Sequence, residues 1–463
     1  MRLYRYRSIE RASQEITDGI FHFSSKKELN DPLEGYVQLF WQSDRAAWEG
    51  LFRNYICSLM RCLELYLLAA DRITLCDNLV LEDIHQFDSM PIRQLYRELG
   101  DVFLETESCR ALVDLYGGME ISCDSTELEF ILRLLHEIAF SMCLQACVDH
   151  GFMPEKDAQP FLNQPRHTSK QTILQHARWR STVGKDSDKE QQALIRTALY
   201  TFQDIFESSI IRHSINTESE ASGETTEQRR AFLTIKVDFP TLYVSQLKEL
   251  VYPQGYVVCF SKSGNNSVMW GNYADKHRGV CLIYETDSVD GREIFPFLTS
   301  RNAEIQAVEY GGKVISRNFF ETFGRLTLPQ IRTWLTGTTG CSKSMDAFAQ
   351  ENVEAWRNRY WKDYGERFYK KLGSWEYEAE YRMLLGDMLD QYEDPQQRNL
   401  KYDPSTLKGV IFGMRTSEID KLTIIKDLKK TRNTLKGFEF YQAQFDESSQ
   451  TIEIRNKAFL ENI

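Results

Sequence analysis

The apolar residues of this chain change their spacing twice, and this change constrains the fold more than any other feature. Residues 1–40 contain short apolar and aromatic runs separated by turn residues, which is typical of strands. Residues 46–250 follow a helical period, and strand signals return after residue 250. The simplest architecture is therefore an α+β fold with a split, mixed or antiparallel sheet formed from both ends of the chain and interrupted by a large helical insertion. We predict a first core segment at 1–45, the insertion at 46–250 and a second core segment at 251–463.

The clearest helix of the insertion carries its apolar residues on one face between residues 128 and 143, preceded by Asp124 and Glu127 in a spacing that resembles a capping box. Weaker helical patterns cover 48–70, 92–115 and 190–211. Residues 216–227 are polar, acidic or small, and we expect a mobile surface loop there. We interpret His136 and His150 as packing or surface residues.

The chain after residue 250 alternates strands with helices. Strands are predicted at 255–261, 279–284, 305–310, 375–385 and 407–412, and a helical segment with a Gly/Thr/Ser-rich interruption is predicted at 319–372. In the first part of the chain, the strand-like runs are 3–9, 20–24 and 36–41, with Gly19 as a turn.

Charge and hydropathy narrow the class of protein. A net charge of −11 disfavours a broad nucleic-acid-binding face, although a local basic cleft is compatible with it. The longest uninterrupted apolar run, 65–70, is far shorter than the roughly 20 residues that span a bilayer. The first residues lack the apolar stretch of a signal peptide, so we expect a cytoplasmic protein with no membrane association. The ten cysteines form no C-x-x-C pair, and we expect them to be reduced and structural, with no metal site.

Two polar clusters near the start of the chain are candidates for ligand binding. In a strand, Arg5 and Arg7 share one face, and arginine suits the bidentate recognition of phosphate or carboxylate. They are either binding residues or exposed strand arginines. Ser24 and Ser25 lie at a strand end and could donate to a ligand. The Asn-Asp-Pro sequence that follows at 30–32 indicates a turn.

Two further clusters lie in the second half. Trp270 and Tyr273 are three residues apart and share a helical face, where they either belong to the core or stack on a ligand ring. If 375–385 is a strand, Glu376, Glu378 and Glu380 line one face. Like charges in that arrangement repel one another unless they are solvated or paired, so the face is either exposed to water or part of a cleft that uses a carboxylate.

These segments together resemble the bacterial family called domain of unknown function 2971. The resemblance rests on 4–7 (YRYR), 23–25 (FSS) with 30–34 (NDPLE), 269–274 (MWGNYA) with 277–279 (HRG), 375–382 (WEYEAEYR) and 408–413 (KGVIFG). It covers about residues 1–40 and 250–420 and leaves the helical middle unexplained. The resemblance implies a bacterial or phage-related protein, with some relatives among antiphage defence functions.

The layout is also similar to that of ADP-ribosyltransferases, which hold NAD in a split sheet. That likeness implies NAD as a co-substrate, bound by Arg5, Arg7, Ser24, Ser25, Trp270 and Tyr273. It implies catalytic roles for Glu380, which would stabilise an oxocarbenium-like ribose, and for Glu378, which would activate the acceptor. The expected activity is ADP-ribose transfer or NAD hydrolysis.

Two other functions are compatible with the sequence. A non-catalytic binding or sensor module would recognise a protein partner or a nucleotide signal through the helical insertion. A nuclease is a weaker alternative, because the sequence offers only scattered Asp and Glu as metal ligands. The acceptor substrate and the oligomeric state stay open.

Overall fold

The computed structural model describes residues 1–69, 79–81, 83, 89–163, 170–182, 193–201, 204–205, 231–298, 302–345, 348, 353–387 and 391–457. The chain divides into two compact units. The sheet unit comprises Met1–Val37, Pro253–Ile315 and Lys362–Ile463, and the helical unit comprises Gln38–Tyr252 and Ser316–Trp361. Both ends of the chain therefore belong to one unit, as the change of periodicity predicts.

Ten strands form the main sheet of the sheet unit, in the spatial order β19-β18-β17-β6-β1-β5-β15-β9-β8-β7. Their bounds are β1 Arg2–Arg7, β5 Gly255–Ser261, β6 Val280–Glu285, β7 Asp287–Val289, β8 Arg292–Phe295, β9 Ala303–Ala307, β15 Glu380–Gly386, β17 Leu407–Phe412, β18 Glu439–Asp446 and β19 Thr451–Asn456. β17 and β18 pair in parallel, and the other neighbours are antiparallel. The mixed sheet and the helical unit confirm the α+β class.

Smaller strands complete the described structure. β2 Ile20–His22 pairs with β16 Asn399–Lys401, and β10 Glu309–Tyr310 pairs with β14 Lys370–Lys371. A three-stranded sheet contains β3 Val37–Trp41, β4 Cys123–Asp124 and β11 Ile315–Asn318, and a short hairpin joins β12 Thr336–Gly337 to β13 Gly340–Cys341.

The main sheet buries apolar side chains on both faces, as a sheet covered on two sides must. On one face, Leu3, Phe260 and Tyr284 of the sheet pack with Phe21 and with helices α1 Ile9–Asp18 and α12 Glu418–Thr431. The other face packs Tyr6, Cys281 and Ile411 against α9 Ser267–Tyr273, whose Trp270 is fully buried. The alternation of residues along β1 thus serves two cores.

The helical unit is built around two long helices. Its helices include α2 Arg45–Ala69, α3 Met90–Glu105, α4 Glu107–Tyr116, α5 Ser125–Asp149, α6 Glu155–Leu162, α7 Lys170–Thr182, α8 Phe239–Val251 and α10 Leu328–Leu335. Helix α11 Val353–Glu366 crosses the division into the sheet unit. The Asp124 side chain accepts hydrogen bonds from the amides of Thr126 and Glu127, which fixes the start of α5. Among the described residues, α5 alone has the length and apolar composition to cross a membrane, and 61% of its most apolar window is buried in the structure.

Several elements differ from the sequence prediction. Residues 375–378 are not part of a strand: a 3-10 helix covers Gly373–Glu378, and Ala379 then takes a left-handed conformation with φ 43° before β15 begins. Glu376, Glu378 and Glu380 therefore do not line one strand face. The strand was predicted from the alternation of residue types after residue 375. Such alternation also occurs in a short helix, so it did not exclude the 3-10 helix that the structure shows.

Other differences concern position along the chain. Residue 9 begins α1 rather than ending β1, because Ser8 caps the helix by accepting from the Arg11 amide. Residues 316–361, expected in the second core segment, lie in the helical unit, where Phe319 packs on Trp41 and Trp334. The prediction of a loop at 216–227 falls outside the described residues.

Candidate functional site

The main sheet opens between β1 and β5. β1 pairs with β6 over its whole length, from Arg2↔Glu285 to Arg7↔Val280, but it pairs with β5 only at Tyr4↔Ser261. Further along the same edge of β5, the partner is no longer β1 but Ser24. The backbones of Ser24 and Val257 form two hydrogen bonds, each of 2.9 Å. Two neighbouring strands thus diverge, and the gap between them is available to side chains.

A cavity of about 280 Å³ lies at this opening. Its lining comes from β1, from residues 24–34, from β5, from α9 and from the segment 371–382. The polar residues of the lining include Arg5, Arg7, Ser24, Asn30, Glu34, Ser261, Tyr273, Lys371, Glu378, Glu380 and Arg382.

The segment after α9 returns tightly to the sheet. Asp275, Lys276 and His277 all have positive φ, between 44° and 69°, and Gly279 then starts the approach to β6. A Cβ atom on Gly279 would lie 2.1 Å from the Arg7 carbonyl oxygen, so only glycine fits there. This close approach holds Tyr273 beside β1.

Arg5 is a buried cation at the opening of the sheet. Its residue is 5% exposed, and its guanidinium carbon lies 4.6 Å from the Phe21 ring and 5.3 Å from the Phe260 ring. The Glu15 carboxylate is 3.4 Å from Nε, yet neither Nε nor Nη1 makes a hydrogen bond. Burial lowers the pKa of Arg5 to about 10, which leaves it charged at neutral pH. Buried donors without acceptors are costly, so this arrangement favours an anion that lies against them.

Arg7 lies nearer to solvent and shares Glu15 with Arg5. Its Nε donates to Glu15 Oε2 over 3.0 Å, and the Tyr284 hydroxyl donates to Glu15 Oε1 over 2.7 Å. Burial would raise the pKa of Glu15, but Arg5 and then Arg7 more than offset this and hold it below its usual value. One carboxylate thus serves two guanidinium groups, which leaves the pair with a net positive charge.

Three glutamates and two cations in the lining of the cavity form a buried network. We call Glu34, Lys371, Glu378, Glu380 and Arg382 the glutamate network. Arg382 is 1% exposed and forms a bidentate pair with Glu34, at 2.6 and 2.7 Å. It also donates from Nε and Nη2 to the two oxygens of Glu380, both at 2.7 Å.

Lys371 connects the three carboxylates of this network. Its Nζ lies 2.5 Å from Glu378 Oε2, 3.1 Å from Glu34 Oε1 and 3.4 Å from Glu380 Oε2. The other oxygen of Glu378 accepts a 2.5 Å hydrogen bond from the Tyr273 hydroxyl, which in turn accepts from Asn30. The network carries three negative and two positive formal charges.

The pKa values of the two catalytic candidates shift in opposite directions. Burial raises the pKa of Glu378, and its contacts with Lys371 and Tyr273 do not fully offset this. Burial would also raise the pKa of Glu380, but Arg382 and then Lys371 lower it below the usual value. Neighbouring carboxyls whose pKa values move apart are typical of sites that need one fixed charge and one group that exchanges protons.

The structure brings six of the eight predicted site residues to this cavity: Arg5, Arg7, Ser24, Tyr273, Glu378 and Glu380. Ser25 and Trp270 are not in its lining. The Ser25 amide and hydroxyl both donate to Glu28, and the Trp270 indole donates to the Gly264 carbonyl inside the core. Ser25 therefore stabilises the segment that carries Ser24, and Trp270 stabilises the helix that carries Tyr273.

Lys371, Glu34 and Glu15 were not among the residues predicted for the site. Glu34 belongs to the quoted 30–34 motif, where the turn made by Asp31, which accepts from the Leu33 amide, sets its position. Glu15 lies on a helix that was not predicted. Lys371 is seven and nine residues from Glu378 and Glu380, but its contact with Glu34 joins distant parts of the sequence, and no local pattern shows that these side chains meet.

Comparison with models of protein families finds a match in the second half of the chain. Residues 269–383 match the model of the family described as protein of unknown function (DUF2971). The match supports the family resemblance over α9, the intervening strands and the first part of β15. No curated protein and no solved structure matches the chain.

Proposed function

We propose that the sheet unit consumes NAD, either by transferring ADP-ribose to an acceptor or by hydrolysing NAD. The observation that carries this proposal is the gap between β1 and β5, where six residues expected for such a site line one cavity. Its lining combines the cations Arg5 and Arg7 with the carboxylates of the glutamate network. A dinucleotide carries a phosphate pair and two ribose groups, which are complementary to such a lining.

The size of the cavity limits how much of NAD it encloses. Pockets that surround a drug-sized ligand have about 300–1,000 Å³, and this cavity has about 280 Å³. It would take the reacting end of the dinucleotide, with the remainder outside. Arg5 offers two hydrogen-bond donors to a phosphate oxygen, and Arg7 adds charge nearer to solvent.

The chemistry assigns different tasks to the two glutamates. The bond between nicotinamide and the ribose breaks with its electron pair on the nicotinamide, and a nucleophile then bonds to the ribose carbon and loses a proton. Glu380 is clamped by Arg382 and supplies a fixed negative charge near the cationic ribose. Glu378, whose pKa is raised, takes the proton from water or another acceptor.

The test is nicotinamide release and label transfer from NAD, measured for the parent chain and for Glu378→Gln. Glutamine keeps the size of the side chain and one acceptor oxygen but cannot take the proton, so we expect a loss of about a hundredfold in rate with a folded protein. Glu453→Gln on the exposed strand β19 is the matched control and should keep the parent rate. An unchanged rate in folded Glu378→Gln would contradict the assignment.

One observation favours a second function. All six carboxylate oxygens of Glu34, Glu378 and Glu380 already accept a hydrogen bond or lie in an ion pair. Such a satisfied network also suits a module that binds a nucleotide without changing it. Saturable NAD binding without nicotinamide release, in the parent chain, would favour this sensor over the enzyme.

A role in antiphage defence belongs to the same proposal. The family resemblance supports it, and the NAD chemistry would make it effective, because depleting NAD stops growth of an infected cell. Plating efficiency of phages on bacteria that express the parent chain or Glu378→Gln would test it. Equal plating on both strains would contradict a defence role that depends on the site.

A further inference from the structure

A second cavity lies within the helical unit and is lined by arginines. It has a volume of about 490 Å³, and its lining includes Arg53, Arg93, Arg97 and Arg332, with Asp101 as the one acidic residue. The remaining lining consists of Tyr96, Pro329, Thr333, Thr336 and Gly337. Four guanidinium groups against one carboxylate give a local formal charge of about +3 in a chain whose net charge is −11.

Three helices bring these arginines together. α2 supplies Arg53, α10 supplies Arg332, and α3 supplies Arg93 and Arg97, which are one turn apart on the same face. Like charges at this spacing on a helix repel, and an anion in the recess would reduce this repulsion. Because the charges approach from separate elements, they surround a recess rather than follow an extended groove.

The position of Arg53 depends on a glycine. Its side chain is 13% exposed and lies across α3, with Nη1 2.7 Å from Asp101 Oδ1. A Cβ atom on Gly100 would lie 2.9 Å from Arg53 Cγ and 3.1 Å from Nη1, so the absence of a side chain at residue 100 lets Arg53 lie in the recess. Glycine inside a helix costs about 1 kcal/mol relative to alanine, and here it makes room for a charge.

Two of the arginines are available to a ligand. Arg97 and Arg332 are exposed, and within the part of the chain that the structure describes their side chains form no ion pair. Arginine presents paired donors that match phosphate oxygens, and the recess also offers the threonine hydroxyls of α10 and the following strand.

From this geometry, we propose that the helical unit binds a compact phosphorylated ligand, such as a nucleotide or an oligophosphate, in the arginine recess. The volume lies within the range of small-molecule pockets, about 300–1,000 Å³. A nucleic-acid strand needs a continuous basic track along its phosphates, whereas these charges converge on one recess. The site is separate from the sheet-unit cavity, and the proposal does not depend on NAD chemistry.

The test is calorimetric titration of the full chain with tripolyphosphate, ATP, adenosine and a single-stranded oligonucleotide. Tripolyphosphate and ATP should bind and adenosine should not. Arg97→Gln and Arg332→Gln should each weaken binding about tenfold or more, since each removes a charged hydrogen-bonding partner. Arg110→Gln, at an exposed arginine of α4 outside the recess, is the matched control and should leave the affinity unchanged.

Three results would overturn the proposal. They are the absence of tripolyphosphate and ATP binding, equal binding by the parent and the two recess variants, and tighter binding of the oligonucleotide than of ATP. Because both substituted arginines are exposed, circular dichroism and thermal unfolding should match the parent. Loss of fold in one variant leaves the other as the deciding measurement, and nicotinamide release from NAD reports separately on the sheet unit.

Discussion

Replacing Arg382 by methionine should destabilise the sheet unit strongly, because this guanidinium holds the glutamate network together. It is 1% exposed, and it donates twice to Glu34, twice to Glu380 and once to the Phe368 carbonyl. Methionine fills a similar length of cavity but offers no donor. Glu34 and Glu380, which are 4% and 6% exposed, would then share Lys371 as their remaining cation. Removing one partner of a buried ion pair costs about 3–5 kcal/mol, and we expect a loss of that size in the free energy of unfolding at pH 7.

The same variant should respond to pH in a defined direction. In the parent chain the pKa of Glu380 is lowered, so its contribution to stability is present above the ordinary glutamate pKa and is lost as the pH falls through the lowered value. Without Arg382, burial becomes the main influence and raises that pKa. The ionised carboxylate then opposes folding at pH 7, and protonation relieves this, so the deficit of the variant should shrink between pH 7 and pH 5.

Urea unfolding of both proteins at pH 7 and pH 5 measures the deficit, and hydrogen exchange of peptides from β5 and β15 locates it. Arg455→Met removes an arginine that is 57% exposed and paired with Glu453, so it should change stability by less than about 1 kcal/mol. A deficit for Arg382→Met below about 1 kcal/mol would refute the reasoning. So would a deficit that is equal at the two pH values, because carboxylates would then not be its source.

Four further predictions concern the site and the elements that position it. Asp124→Ala removes the cap of α5 and should cost about 1 kcal/mol, seen as a lower Tm; an unchanged Tm would contradict the capping role. Gly279→Ala introduces a clash with the Arg7 carbonyl oxygen and should lower the free energy of unfolding by about 1–3 kcal/mol or more. Gly271→Ala, which has open space around its Cβ, is the control and should be neutral or slightly stabilising in the same unfolding assay. Tyr273→Phe removes the hydrogen bond to Glu378 and should slow NAD turnover by about tenfold with the fold intact, and an unaltered rate would count against the proposed role. The acidic limb of the pH profile for turnover should lie above the ordinary glutamate pKa, because Glu378 accepts a proton only when ionised; a limb at or below that value would exclude it as the base.

The sequence predicted the sheet elements that carry strong alternation or buried apolar runs. β5 and β17 were predicted at their observed bounds, and α5 was located by its apolar face. These elements are specified by their own residues, since a buried run or a helical stripe needs no distant partner to be recognised. The change in spacing of the apolar residues also predicted that the two ends of the chain belong to one unit.

The features that the sequence did not predict depend on tertiary contacts. The segment before β15 alternates aromatic and acidic residues and resembles a strand, but Ala379 turns it and sends Glu378 toward Lys371 and Tyr273. Helices α1 and α12 are polar in composition, and α1 has only ten residues; their few apolar residues become part of a core only when the two helices pack over the sheet. The pairing of Arg382 with Glu34 joins residues 348 positions apart, which no local pattern can show.

The position of β1 in the centre of the sheet has a consequence for synthesis of the chain. β1 is made first, yet its two neighbours, β5 and β6, follow only after residue 253, and Glu380 comes later still. At about 5–20 residues per second, the ribosome needs on the order of ten seconds or more between these strands. During that interval β1 cannot form its pairs with β5 and β6. Pairing between strands that are so far apart in sequence is also slow. A truncated or stalled chain that ends before β15 therefore has no complete cavity, so the proposed activity would begin only after β15 has been made.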